Sequence, residues 1–80
     1  MSTEERILQI LEQVTGTDEV RRDRGISLFK SGLIDSLGAI EMLVAIDEQL
    51  GVVIEPTEVD RAEIETPNMI IEYVTKKEQQ

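Results

Sequence analysis

Residues 28–38 have the sequence LFKSGLIDSLG, in which a loop ends and a helix begins. The apolar periodicity that follows predicts a helix over residues 36–50, with Asp35 or Ser36 as its N-cap and Gly51 as its C-terminal stop. Free N–H groups and the helix dipole make a helix N-terminus favourable for anions. Ser36 therefore presents a hydroxyl, beside the Asp35 carboxylate, where a phosphodiester would be tolerated.

The chain before this stretch predicts one helix and one long connection. Apolar residues recur at helical spacing over residues 3–15, and Ser2 with Glu5 fits a capping box. The connection over residues 17–34 is longer than most loops in compact domains, so we expect it to have internal structure or a purpose. Its apolar residues are expected to anchor it to the core: Val20, Ile26, Leu28, Phe29, Leu33 and Ile34.

The chain after residue 51 predicts a short helical turn and a last helix. Thr57 is expected to cap a turn over residues 58–63. Thr66 followed by Pro67 is typical of a helix start, and this helix is predicted to end near residue 76.

The composition fits one small domain and leaves little room for catalysis. The chain has 80 residues, a net charge of −9, and neither Cys nor His. A core of this size can spare few residues for an enclosed active site, and the commonest general base and metal ligand is absent. No Ca²⁺-loop pattern occurs, so no metal site is predicted. We expect a single all-α domain over residues 1–80, a small four-helix bundle that is not an enzyme.

The negative charge is concentrated in one part of the chain. Residues 36–75 contain nine acidic residues against Arg61 alone. Nucleic acid would be repelled, whereas basic partners would be attracted, unless the acidity serves only solubility. No apolar stretch of about 18 residues occurs and the N-terminus is acidic, so we expect no membrane span and no secretory signal, and a cytoplasmic location.

The predicted helix over residues 36–50 has two apolar faces. The face expected to enter the core consists of Ala39, Leu43, Ile46 and Leu50, with Met42 at its edge. The second stripe lies roughly 130° away and consists of Leu37, Ile40 and Val44. An acidic rim flanks it and consists of Glu41, Asp47 and Glu48. The second stripe is either a partner-docking surface or the other side of a central, fully packed helix.

Ser36 and Gly38 each allow a plain structural explanation. Ser36 could serve only as a helix cap, and Gly38 could be a tolerated weak position in the first helical turn. As a nucleophile Ser36 lacks a histidine base, so hydrolase chemistry is disfavoured. As an attachment point it needs only exposure and tolerance of an anion. Gly38 would then leave space beside it for a partner or an attached arm.

The stretch from Leu33 to Leu37 resembles acyl and peptidyl carrier proteins, whose Asp-Ser-Leu signature serine receives 4′-phosphopantetheine from coenzyme A. The order of helices and loops extends this resemblance over nearly the whole chain. Phe29, residues 31–36, Gly38 and the segments 59–61 and 66–68 further resemble D-alanyl carrier proteins. The chain departs from those proteins at Val59 and Ile64, where they often have Phe and an aromatic residue.

The resemblance implies that Ser36 carries 4′-phosphopantetheine, beside Asp35, and that its thiol holds D-alanine as a thioester for the D-alanylation of teichoic acids. It implies a monomer with three partners: a phosphopantetheinyl transferase, an adenylating D-alanine ligase and a downstream acyltransferase, at the membrane or free of it. The expected docking residues are Leu37, Gly38, Ile40, Glu41, Val44 and Glu48. The alternatives are a carrier of fatty acyl groups or another amino acid, and a small acidic helical adaptor in which Ser36 is only a cap.

Overall fold

A computed structural model describes residues 2–80, and all regular structure in that range is helical. The four α-helices are α1 (Thr3–Thr15), α2 (Glu19–Arg22), α3 (Ser36–Leu50) and α4 (Pro67–Glu78). Two 3₁₀ turns, Pro56–Glu58 and Arg61–Glu63, lie between α3 and α4. The all-α prediction is confirmed. None of the helices in the described range is both long enough and apolar enough to cross a membrane.

The helix boundaries follow the capping residues that the sequence predicts. The Ser2 side chain accepts a hydrogen bond from the Glu5 N–H at 3.1 Å, and Thr66 accepts one from Met69 at 3.1 Å before Pro67 opens α4. Gly16 ends α1 in the left-handed conformation, with φ at 75°, a region that favours glycine. The ends of α1 and the start of α4 are therefore as predicted.

The long connection between α1 and α3 contains α2 and is tied to α1 by one arginine. Arg21 of α2 donates from Nε to Glu12 at 2.8 Å and from Nη1 to Glu5 at 2.9 Å. The hydrogen bond from Arg21 lowers the pKa of the Glu5 carboxyl. The loop is also joined to the segment before α4, since the Leu28 N–H donates to the Glu65 carbonyl at 2.8 Å. The expected internal structure of this connection is thus present.

The apolar residues of that connection anchor it as expected. Val20, Leu28 and Ile34 are buried, whereas Ile26, Phe29 and Leu33 are partly buried against the core. This packing fixes the path of the chain immediately before α3, and it therefore sets where the first residue of α3 lies.

The predicted short helix capped by Thr57 is wrong in detail. Thr57 lies inside the first 3₁₀ turn, and the single predicted helix is two separate turns. In the first turn the Glu55 N–H donates to the Glu58 side chain at 2.7 Å, and in the second the Asp60 N–H donates to the Glu63 side chain at 3.0 Å. These local hydrogen bonds confine each turn to three residues, and no short α-helix forms between α3 and α4. The short α-helix of the four is α2, in the connection before α3.

The core lies between the three long helices, and α1 packs against both α3 and α4. Met42, Leu43 and Ile46 of α3 are buried, and Ala39 and Leu50 are partly buried. The predicted core face of this helix is confirmed. Its opposite side and its N-terminal end remain on the surface.

Candidate functional site

Ser36 is the first residue of α3, and its neighbour Asp35 caps the helix. The Asp35 backbone is extended (φ −105°, ψ −171°), and its side chain accepts a hydrogen bond from the Gly38 N–H at 2.7 Å. Ser36 is exposed. Because Asp35 satisfies the cap, the Ser36 hydroxyl is not required for it.

Arg61 reaches Ser36 from the second 3₁₀ turn. Its Nη2 donates to the Ser36 Oγ at 2.8 Å, and its guanidinium carbon lies 4.7 Å from the centre of the Phe29 ring. The site therefore joins the end of the long loop and the start of α3, which are adjacent in sequence, to the turn before α4, which is 25 residues away from Ser36. The result is a surface hydroxyl with a cation beside it.

Sequence reasoning missed Arg61 as a site residue and assigned Phe29 to the core. The contact between Arg61 and Ser36 spans 25 residues, so no local pattern indicates it. One signal was available, because Arg61 is the only basic residue in a stretch with nine acidic residues. A single basic residue in such an acidic stretch is a candidate for binding an anion.

The electrostatics of this site favour an attached anion over a hydrolytic nucleophile. The Asp35 carboxylate is engaged with the backbone of α3, and the chain has no histidine to accept the hydroxyl proton. The N–H groups at the start of α3 and the Arg61 guanidinium both contribute positive potential at the Ser36 Oγ. A phosphoryl ester on this oxygen would have its negative charge stabilised on two sides.

Gly38 has a packing role in the described structure. A Cβ at this position would lie 3.3 Å from both Asp35 Oδ1 and Ile34 Cγ2 and 3.6 Å from Val14 Cγ1. The space left by the missing side chain therefore faces the domain itself, where the start of α3 approaches α1. This packing differs from the expected gap beside Ser36, and docking at Gly38 stays a prediction.

The second stripe lies on the surface of α3. Leu37 is 66 % exposed, Ile40 43 % and Val44 51 %, so the alternative of a helix packed on both sides is wrong. The acidic rim of Glu41, Asp47 and Glu48 is exposed as well. Ser36 and the second stripe thus share one rigid helix. Partner docking on it stays a prediction.

Comparisons with known proteins place the chain in a family. The family model for the phosphopantetheine attachment site matches residues 5–74. A D-alanyl carrier protein of Enterococcus faecalis is 45 % identical over 74 residues, which cover 92 % of this chain and 95 % of that protein. D-alanyl carrier proteins of Listeria monocytogenes (44 % identity, 89 % of this chain, 91 % of that protein) and Abiotrophia defectiva (45 %, 92 % and 94 %) are similar over comparable lengths.

The resemblance found in the sequence is therefore confirmed, and with it the covalently attached 4′-phosphopantetheine. The exposed hydroxyl of Ser36 and the adjacent Arg61 cation suit the phosphodiester of that group. The chain belongs to the family of carrier proteins with a phosphopantetheine attachment site, together with the D-alanyl carrier proteins.

Proposed function

We propose that Ser36 bears the 4′-phosphopantetheine group and that the chain carries D-alanine as a thioester on it. The observation that supports the attachment point is the exposed hydroxyl of Ser36. Asp35 caps the helix in its place, and Arg61 Nη2 donates a hydrogen bond to the Ser36 Oγ at 2.8 Å. The proposed cargo is supported by the similarity to D-alanyl carrier proteins over about nine-tenths of the chain.

Attachment forms one bond and breaks one. The Ser36 Oγ bonds to the phosphorus that bears the pantetheine arm, the pyrophosphate linkage of coenzyme A breaks, and adenosine 3′,5′-bisphosphate leaves. The hydroxyl proton passes to a base of the transferase or to water. The attached group supplies a thiol for thioester formation, which the chain lacks because it has no Cys. The chain is then a carrier and not itself an enzyme.

The proposed partners are those that load and unload the carrier. A phosphopantetheinyl transferase attaches the arm, an adenylating ligase supplies D-alanine, and a downstream acyltransferase passes it on for the esterification of teichoic acids. Attachment of the arm requires coenzyme A and loading of D-alanine requires ATP, so we place both steps in the cytoplasm. The second stripe and acidic rim are the proposed docking surface, and the net charge of −9 disfavours nucleic acid as a partner.

Ser36→Ala should abolish attachment. With coenzyme A and a phosphopantetheinyl transferase, the mass of the wild type should rise by one phosphopantetheinyl group, and the mass of Ser36→Ala should not change. Ser31→Ala is the matched control, because Ser31 is an exposed serine of the preceding loop and should leave attachment intact. Modification of Ser36→Ala, or an unmodified wild type where a reference carrier is modified, would contradict the attachment point.

Cargo is tested separately on the modified protein. Adenylating ligases supplied with D-alanine, L-alanine and fatty acids should load D-alanine preferentially, as judged by the mass of the thioester. Loading by fatty acid and not by D-alanine would overturn the cargo and leave the carrier role in place. The adaptor alternative predicts no loading at all.

A further inference from the structure

We propose that Arg61 binds the phosphodiester that joins the arm to Ser36, and so ties the root of the arm to the second 3₁₀ turn and the Phe29 ring. This inference rests on the proposed attachment at Ser36. It assigns to Arg61 a positioning role that the local sequence around Ser36 does not indicate.

The hydrogen bond that Arg61 already makes places it within reach of the phosphodiester. Its Nη2 lies 2.8 Å from the Ser36 Oγ, the atom to which the phosphorus would be bonded. Once esterified, this oxygen is a poorer acceptor than the two non-bridging oxygens, which share the negative charge. Guanidinium groups bind such oxygens with charge-assisted and frequently bidentate hydrogen bonds. The hydrogen bond from Arg61 should therefore shift from Oγ to the non-bridging oxygens.

The fold positions Arg61 before any group is attached. Its guanidinium carbon lies over the Phe29 ring, 4.7 Å from the ring centre, an arrangement that attracts the cation. Its backbone is fixed by the 3₁₀ turn, in which the Ile64 N–H donates to the Arg61 carbonyl at 3.0 Å. An arginine held in this way loses less side-chain freedom on binding the phosphodiester than a mobile surface arginine would.

The charge of Arg61 is available for an anion. Within residues 2–80 the ion pairs shorter than 4.0 Å use other basic residues, and none of them involves Arg61. Its side-chain hydrogen bond goes to a neutral hydroxyl instead. By contrast, Arg21 and Arg22 both pair with carboxylates. The attached phosphodiester would give Arg61 its own counterion.

The test compares the gain in thermal stability on attachment between variants. Apo and modified forms of the wild type, Arg61→Gln and Arg61→Lys are unfolded by heat, after mass spectrometry has verified one group on Ser36. The gain in Tm should be roughly 1–5 °C in the wild type, as for a partly exposed ion pair in a domain of this size. It should be clearly smaller in Arg61→Gln, where only the N–H groups at the start of α3 still stabilise the phosphodiester. It should be intermediate in Arg61→Lys, which keeps the charge without the guanidinium fork.

Arg22→Gln is the matched control, because it removes the same charge from an exposed arginine on α2 and should keep the full gain. Absence of the added mass on wild-type Ser36 would refute the proposed attachment, and with it the inference that rests on it, before any variant is compared. Equal gains in the wild type and Arg61→Gln would overturn the inference. Should Arg61→Gln fail to fold or to be modified, Phe29→Leu takes its place, since it removes the ring beneath the guanidinium and should reduce the gain.

A second readout is the ³¹P resonance of the modified protein. In the wild type it should move with added salt as Arg61 is screened from the phosphodiester, and in Arg61→Gln it should move less, because only the N–H groups at the start of α3 remain. A wild-type resonance that moves no more with salt than that of Arg61→Gln would also overturn the inference.

Discussion

Asp35 and Ser36 are neighbours with different tasks at the start of α3. Asp35 has the extended backbone of an N-cap and accepts the Gly38 N–H, whereas Ser36 is already the first helical residue. The sequence left both residues open as the cap, because either side chain can accept such a bond. The backbone conformation decides between them, and it depends on how the preceding loop is anchored.

Asp35→Ala should lower the free energy of unfolding by about 1 kcal/mol, because the Gly38 N–H loses its acceptor. Ser36→Ala should change it by less than about 0.5 kcal/mol, since an exposed hydroxyl and one exposed hydrogen bond are lost. Urea denaturation of both variants, followed by circular dichroism, measures the difference. Should Ser36→Ala prove as destabilising as Asp35→Ala, Ser36 would be a cap, as the adaptor alternative requires.

At the scale of the helix, α3 has one apolar face in the core and a second apolar stripe on the surface, which is the proposed docking surface. Leu43 points into the core at 6 % exposure, and the adjacent Val44 points outward on the second stripe. The helical wheel predicts that the two residues lie on different apolar faces, and the structure shows that the face with Val44 is the exposed one. The two neighbouring positions therefore allow a clean comparison.

Leu43→Ala should lower the free energy of unfolding by about 2–5 kcal/mol, because it opens a cavity in the core. Val44→Asp should leave stability nearly unchanged and slow loading by the ligase, because it places a charge on the proposed docking surface. Denaturation and loading rates of the two variants check this. An unfolded Val44→Asp beside a stable Leu43→Ala would mean that the two faces are exchanged.

The elements that sequence reasoning predicted well are the long helices with capping residues at their ends. Ser2, Thr66 and Gly51 mark helix ends by chemistry that acts within a few residues. The segment between α3 and α4 was harder, because two three-residue turns have no apolar periodicity to detect. The Glu55/Glu58 and Asp60/Glu63 spacing was a usable signal there, since in each pair the second side chain accepts the backbone N–H of the first residue.

At the scale of the whole molecule, the net charge of −9 is distributed so that α3 presents acidic residues without basic ones. The acidic rim surrounds the second stripe on the exposed side of this helix. Exposed charges of one sign accelerate encounters with partners of the opposite sign, and salt screens this effect.

The association rate with the ligase should therefore fall as ionic strength rises, while dissociation changes less, because apolar contacts hold the complex once it has formed. Stopped-flow measurements at several salt concentrations test this directly. A double change of Asp47→Asn and Glu48→Gln should reduce the salt dependence, with Glu4→Gln and Glu78→Gln as a control for net charge. A rate that does not depend on salt would remove the steering role and leave the carrier role intact.

The site could be only partly predicted from the sequence, because some of its contacts join residues that are far apart in the chain. Ser36 and its helix follow from residues that are close in sequence. Arg61 reaches Ser36 from a position 25 residues later in the chain, and the Phe29 ring, 32 residues before Arg61, lies against its guanidinium, so tertiary packing brings them together. Composition shows only that Arg61 is the one basic residue among nine acidic residues over positions 36–75, and the fold shows what it contacts.

Because Ser36 and the second stripe lie on one helix, the distance between the attachment point and the proposed docking surface is fixed. Val44 lies eight residues after Ser36, about 12 Å along the axis of α3. A partner that binds the second stripe therefore keeps Ser36 at a constant distance from the partner's surface. Only the attached arm then has to move for the cargo to reach the partner's catalytic centre. The cargo then reaches that centre at an effective concentration in the millimolar range, set by the length of the tether and not by how much carrier is in solution.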